Sequence, residues 1–170
     1  DLHLNDRIAL ITGASRGIGA ATAKILAEEG ADVVVVYHTN VDGAEQTADA
    51  VRRAGRRAWC LALDVADAGA VNSSFQGLKD CIDRIDALVL CSGESTVTPF
   101  AELSAEEWSH IVAVNLNGPF YVLQAARQLL AEGSSVVTVA SVAGHTGVPH
   151  HAHYAAAKAG LINLTKSAAR

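Results

Sequence analysis

The sequence predicts an open, doubly wound α/β sheet, and three observations predict it. Five short β-rich runs alternate with longer helical patterns, the runs are almost continuously apolar, and a glycine cluster sits directly between the first run and the first helix. Strands covered on both faces by helices lack the apolar-polar alternation of a half-exposed sheet, so unbroken apolar runs point to parallel pairing.

The strands are "RIALIT" (7–12), "DVVVVY" (32–37), "AWCLAL" (58–63), "DALVLC" (86–91) and "SVVTVA" (135–140), with helices expected near 17–29, 42–54, 67–83, 104–131 and 152–169. Gly69, Asn72, Ser73, Ser74 and Gly77 lower the helix propensity of the third. Ser104 followed by Glu107 forms the pattern of a capping box that starts the long fourth helix. No repeat, low-complexity tract or linker interrupts the alternation, so residues 1–170 read as a single domain. The final pattern, "YAAAKAGLINLTKSAAR", is still helical at Arg170 and meets no stop signal. It predicts a domain cut within a helix, with C-terminal strands missing and the apolar edge of "SVVTVA" left open.

Half of the 170 residues are hydrophobic and the mean hydropathy is +0.22, enough to bury a substantial core. A formal charge of -5, with "RRAGRR" (52–57) as the one basic block, argues against nucleic acid as a partner. "ADVVVVY" is too short to cross a bilayer and "DLHLNDR" has no signal-peptide core, so the chain reads as cytoplasmic and free of the membrane. Cys60, Cys81 and Cys91 are odd in number and lack C-x-x-C spacing, which supports neither a disulfide framework nor a zinc knuckle.

"TGASRGIG" (12–19) places Gly13, Gly17 and Gly19 between strand and helix in a G-x-x-x-G-x-G spacing. Glycines there permit a tight turn and the close approach of backbone to a phosphate, and the following helix N-terminus favours an anion. Ser15 can add a hydroxyl. In an NAD site an acid ends the second strand and binds the ribose 2′-OH. Here Tyr37 and His38 stand at that place, and Arg16 can reach a 2′-phosphate, so NADP is expected ahead of NAD. Arg16 as a plain surface charge is the competing reading.

Tyr154 and Lys158 are four residues apart on a helix and share a face. A neighbouring ammonium favours a phenolate, so the pair can serve as a general acid and base. Ser141 ends the fifth strand, where open α/β sheets bind ligands, and can hydrogen-bond a substrate oxygen.

In order and approximate spacing, "TGASRGIG", "DV" (64–65), "VNLNG" (114–118), "ASVAG" (140–144) and "YAAAK" (154–158) resemble the short-chain dehydrogenase/reductase family, most of all its 3-oxoacyl-carrier-protein reductase type. The resemblance implies a Rossmann-like sheet of strand order 3-2-1-4-5 and a reaction in which hydride passes between NADP(H) and a carbonyl or secondary alcohol. It implies that Tyr154 exchanges the proton, Lys158 supports it and holds ribose hydroxyls, Ser141 fixes the carbonyl, and Asn115 helps hold a water that links Lys158 to solvent. For the cofactor it implies contacts from Gly13, Ser15, Arg16, Gly17, Ile18 and Gly19, from Tyr37 and His38, from Asp64 and Val65 at the adenine, and from Ser92 and Gly93. A carbonyl or acyl thioester substrate and a homotetramer or homodimer also follow from the resemblance. The chain departs from the family at "LCSG" (90–93), where Leu90 and Cys91 replace two asparagines of N-N-A-G. That substitution puts the usual ties to the sheet in question and leaves a catalytically inactive sensor or assembly subunit as the alternative reading.

His145, His150, His151 and His153 cluster before Tyr154. The family reaction needs no metal, because the tyrosine supplies the acid. No metal site is therefore expected, and most of these imidazoles are expected in solvent.

Overall fold

A computed structural model describes residues 3–170. Five strands, β1 (Ile8–Ile11), β2 (Asp32–Tyr37), β3 (Ala58–Ala62), β4 (Ile85–Leu90) and β5 (Leu130–Thr138), form one sheet in the order β3-β2-β1-β4-β5, the expected 3-2-1-4-5. Every pairing is parallel, with Ala9 opposite both Val33 and Ala87 at the centre. Helices α1 (Gly17–Glu28), α2 (Val41–Arg53) and α3 (Ala68–Leu78) follow the first three strands. Helices α4 (Ala105–Val112) and α5 (Gly118–Ala126) precede β5, and α6 (Ala143–Thr146) and α7 (Ala152–Ala168) follow it.

The apolar strands divide their side chains between two cores, as a period of two requires. Leu10, Val34, Val36, Leu88 and Leu90 point to one face, where Phe75 and Leu78 of α3 and Val122 and Ala126 of α5 cover them. Ile11, Val33, Val35 and Val89 point to the other, under Ala23 and Ala27 of α1 and Ala44, Ala48 and Val51 of α2. The alanines let these two helices lie close on the sheet.

Three elements depart from the expected bounds. The helix expected over 104–131 is interrupted by a π-helical turn, Ala113–Asn117, and ends at Ala126. Pro119 explains the interruption, because a proline inside a helix has no N–H to donate and its ring presses on the carbonyl four residues back; a widened turn relieves both. Strand β5 begins five residues early, at Leu130, and its pairing with β4 slips between Ile85 and Ala87 where Gly133 turns with a φ of 76°. Helix α3 stops at Leu78 instead of 83, consistent with its weak formers.

Ser104 caps α4 by accepting the Glu107 N–H at 3.0 Å. Among the described residues the Glu107 carboxylate does not close the box; its Oε1 accepts from Thr98 at 2.6 Å and from Thr96.

Among the described residues β5 lies at the edge of the sheet with Val136 and Val137 exposed, and an apolar groove of about 690 Å³ runs beside it between α5 and α7, past Leu123, Leu130 and Leu164. Among the described residues no helix is long and apolar enough to cross a membrane.

Two acids tie the N-terminal ends of the strands. Asp32 accepts the Arg57 backbone N–H at 2.9 Å and its Nε at 2.7 Å and pairs with Arg56 at 3.1 Å; Asp86 accepts the Ile8 N–H at 2.9 Å and pairs with Arg7 at 2.8 Å and Arg84 at 3.0 Å. Burial pushes both carboxyls up, but for Asp32 the bonds from Arg57 and the charge of Arg56 outweigh it, and for Asp86 those from Ile8, Arg7 and Arg84 do, so both lie below the ordinary 3.8. An acid depressed in the folded state adds stability above its unfolded value and loses it as pH falls through the folded one. The melting temperature is therefore expected to hold from neutrality to about pH 4 and then drop. Asp32→Asn and Asp86→Asn should each lower stability at pH 7 by about 1–3 kcal/mol and flatten the acid drop, measured by thermal melts across pH.

Candidate active site

In a parallel sheet all strand C-terminal ends lie at one edge, and the order reverses between β1 and β4. There a cavity of about 700 Å³ opens. It collects Gly13, Ser15, Arg16, Gly17, Ile18 and Gly19 from the first turn, His38 after β2, Asp64 and Val65 after β3, Ser92 and Gly93 after β4, and Tyr154 and Lys158 from α7.

The glycine turn is built for close approach. Gly13 has a φ of 66°, where glycine alone is unstrained, and a Cβ on it would sit 3.0 Å from the Ser92 backbone. A Cβ on Gly19 would lie 2.4 Å from the Gly13 carbonyl oxygen. Helices α2, α3 and α4 have side-chain caps from Asn40, Asp67 and Ser104, whereas α1 begins at the cavity with no side-chain cap and no acid in its first turn. The Gly19 N–H bonds the Cys91 sulfur, which leaves the N–H groups of Gly17 and Ile18, both lining the cavity, and the dipole end to meet an anion. This cradle fits the pyrophosphate of a dinucleotide.

At the end of β2 the structure separates two neighbours. Tyr37 packs against the α1–α2 core and does not line the cavity, while His38, Thr39 and Asn40 do. His38 Nε2 lies 4.0 Å from Asp64 Oδ2, and Asp64 Oδ1 accepts the Ala66 N–H at 2.9 Å. Val65 packs on Gly118, where a Cβ would meet its Cγ2 at 2.8 Å.

The "LCSG" segment is held without the asparagines. Thr12 is buried at the end of β1, and its Oγ1 accepts the N–H groups of both Cys91 and Ser92 at 3.0 Å. Leu90 points into the core, and burial pushes the Cys91 thiol up despite the nearby Lys158 ammonium.

Lys158 is only 4% exposed; its Nζ donates to the Val139 carbonyl at 2.9 Å and lies 5.6 Å from the centre of the Tyr154 ring. Val139 and Ala140 line the cavity and Ser141 follows them, half-buried, its Oγ accepting the Ala143 N–H at 3.2 Å. That bond leaves the serine's own proton free. Asn115 is fully buried in the π turn; its Nδ2 donates to the Glu94 carbonyl at 2.7 Å and the Ile111 carbonyl at 2.9 Å, which fastens the wall of the cavity. A Cβ on Gly93 would touch Asn115 Oδ1 at 3.0 Å and Lys158 Nζ at 3.5 Å, so these three groups meet at one point.

Burial holds the Lys158 ammonium below its ordinary 10.5, against a smaller opposing influence of Cys91. A base depressed in the folded state binds fewer protons than in the unfolded chain, so stability rises with pH between the folded value and about 10.5. The melting temperature of the protein relative to Lys158→Met is expected to climb as pH rises through that window, in melts at pH 7 to 10.

Sequence reading missed Thr12, Thr39, Asn40, Glu94, Ser95 and His110. Except for Thr12 these line the cavity, and His110 Nε2 meets Glu94 Oε2 at 3.0 Å. For Thr39, Asn40, Glu94 and Ser95 a position shortly after β2 or β4 was the available signal, and for Thr12 its place directly after β1; His110, within α4, carried none. Among the described residues no three His, Cys, Asp or Glu side chains converge on a metal position. His145 and His150 are exposed and His151 is half-buried, in line with the expectation that most of these imidazoles lie in solvent; His153 is the exception and is fully buried.

A family profile described as short chain dehydrogenase matches residues 7–170. The chain is 37% identical over 98% of its length to a 3-oxoacyl-[acyl-carrier-protein] reductase of Synechocystis, of which it covers 68%. Among solved structures it is similar to carveol dehydrogenase from Mycobacterium avium in complex with NAD, at 28% identity and a TM-score of 0.90 over 97% of the chain and 65% of that protein. It is also similar to landomycin C-6 ketoreductase LanV with bound NADP and rabelomycin, at 31% identity and a TM-score of 0.89 over 95% of the chain and 69% of that protein. The chain thus spans about two thirds of the length of each. With the profile running from the first strand to Arg170, the chain belongs to the short-chain dehydrogenase family of oxidoreductases.

Proposed function

We propose that the protein transfers a hydride between NADP(H) and a carbonyl or its secondary alcohol, with a ketone or 3-oxoacyl thioester as substrate. The observation that carries this reading is that Tyr154 and Lys158 line the same cavity as the uncapped start of α1. When bound, the nicotinamide supplies or receives the hydride. Tyr154 gives its phenolic proton to the carbonyl oxygen during reduction and takes it back during oxidation. Ser141, its own proton free, donates to the same oxygen and orients it. Lys158 has two N–H groups left beyond its bond to Val139; they serve the ribose hydroxyls, and its charge favours the phenolate. Asp64 and Val65 stand where the adenine is expected, and Ser92 and Gly93 offer backbone along the adenosine ribose.

The relatives include both an NAD and an NADP complex, so the choice of cofactor rests on this chain's own residues. Arg16 and His38 both line the cavity, and Tyr37 and His38 stand where an acid would otherwise end β2. A 2′-phosphate meets a guanidinium there and no carboxylate at the strand's end. Arg16→Leu is expected to weaken NADPH binding roughly 10- to 150-fold, the scale of a lost charge-assisted hydrogen bond, with little effect on NADH; titration of both cofactors checks it. A homodimer or homotetramer belongs to the same reading, and Trp108 and Phe120 stand exposed on α4 and α5 for such a contact.

The deciding experiment incubates purified protein with NADPH and a panel of ketones and 3-oxoacyl thioesters. Turnover supports the proposal. Tight NADPH binding without turnover of any of them would instead favour a non-catalytic dinucleotide-binding protein.

A further inference from the structure

His153 precedes Tyr154 and is fully buried, yet the proposed reaction does not use it. Its Nε2 lies 2.7 Å from Thr96 Oγ1 and 3.5 Å from Glu107 Oε1, and its buried Nδ1 has no hydrogen-bond partner among the described residues. Thr96 Oγ1 also reaches Glu107 Oε1, which accepts from Thr98 Oγ1 at 2.6 Å as well. Three elements meet here: α7 through His153, α4 through Glu107, and the loop 94–98, whose first residues line the cavity.

Counting protons fixes the direction of this chain. Hydrogen bonds from Thr96 and Thr98, the largest influences, hold the Glu107 carboxyl below its ordinary range against a smaller opposing effect of burial, so it is ionised and only accepts. The single Thr96 proton therefore goes to Glu107, and the Thr96 oxygen must accept from His153. Nε2 accordingly carries a proton. A proton on Nδ1 would be a buried donor with no acceptor to meet it, so Nδ1 is bare.

We propose that His153 is a positioning residue: its imidazole, protonated at Nε2 and bare at Nδ1, ties the cavity-wall loop 94–98 to the first turn of the tyrosine helix through Thr96 and Glu107, and so fixes where Tyr154 stands. Two further bonds complete the clamp, since Asn115 holds the Glu94 carbonyl at 2.7 Å and the Thr98 N–H donates to the His150 carbonyl at 2.9 Å. Buried polar chains of this kind specify one arrangement where an apolar filler would pack equally well. The geometry also explains why Glu107 does not complete the capping box with Ser104.

The inference rests on the reading of Tyr154 as the proton donor, and the test separates the two. Nitrogen-15 NMR of histidine-labelled protein reads the tautomer directly, with or without a substrate in hand. Protonated Nε2 with bare Nδ1 is expected, and a protonated Nδ1 overturns the proposal. His153→Leu removes the donor while keeping the bulk, and Thr96→Val cuts the chain at its middle. Both should fold with a modestly lowered melting temperature, speed amide hydrogen exchange over 94–98, and lower kcat roughly three- to tenfold, the scale of one net hydrogen bond, with the KM for NADPH unchanged. His153→Gln, which returns an N–H to Thr96, should restore most of the loss. Unchanged exchange in both variants, or a glutamine variant no better than the leucine one, overturns it.

Discussion

Tyr154→Phe is expected to bind NADPH as the native protein does and to reduce carbonyl substrates roughly 10²- to 10⁴-fold more slowly, the range that a positioned general acid contributes. The substitution deletes one oxygen from a half-buried ring on α7 and leaves the packing of Ala155, Ala157 and Leu161 around it untouched. Stability should therefore change little. The ring keeps its place near the Lys158 ammonium, and the cradle of α1 lies elsewhere in the cavity, so the loss should fall on kcat and leave the cofactor's dissociation constant alone. Fluorescence titration with NADPH and steady-state rates, run on the same preparation, check both halves. Full activity in the variant would remove Tyr154 from the role of proton donor.

The second large effect belongs to the glycine turn. Gly19→Ala puts a methyl 2.4 Å from the Gly13 carbonyl oxygen and 3.0 Å from the Ala14 Cα, both backbone atoms that have no side chain to swing away. The turn must move, and overpacking of that kind costs about 1–3 kcal/mol. The same displacement reaches the N–H groups offered to the phosphates, because Gly13 is itself wedged against Ser92. Cofactor affinity is expected to fall by about one to two powers of ten, together with a lower melting temperature. Gly17 provides the contrast: a Cβ there meets nothing within 4 Å, so Gly17→Ala strains a φ of 55° without pushing on its neighbours. Its effect should be the smaller of the two, and calorimetric titration of NADPH into both variants measures the difference.

Much of this was legible in the sequence, for identifiable reasons. Unbroken apolar runs such as "DVVVVY" mark strands packed on both faces, and the observed β2 matches that run residue for residue. The first-turn glycines were legible because positive φ and backbone crowding leave no other residue. Tyr37 was not: a strand's last residue can turn to the core or to the cavity, and the alternation of β2 takes it inward while His38 lines the cavity. The π turn escaped because the helical pattern runs on through Asn115 and Gly118, and only Pro119 signals the interruption. Glu107 was assigned to Ser104 by a local rule, and tertiary partners won. His153 carried a signal that went unread: with Ala157 and Leu161 it lies at every fourth position on α7, and all three are buried.

The two ends of the sheet carry different burdens. Asp32 and Asp86 knot the N-terminal ends, whereas every residue proposed for chemistry lies at or beyond the C-terminal ends. Such a division separates stability from specificity: rim residues outside the proposed chemistry and its clamp, such as 142–149, can be exchanged without disturbing the ion pairs at the opposite end. The printed names of the relatives, a carveol dehydrogenase and a landomycin ketoreductase among them, show one frame serving dissimilar molecules. A grafting experiment on this chain should accordingly begin at that rim and leave the opposite one untouched.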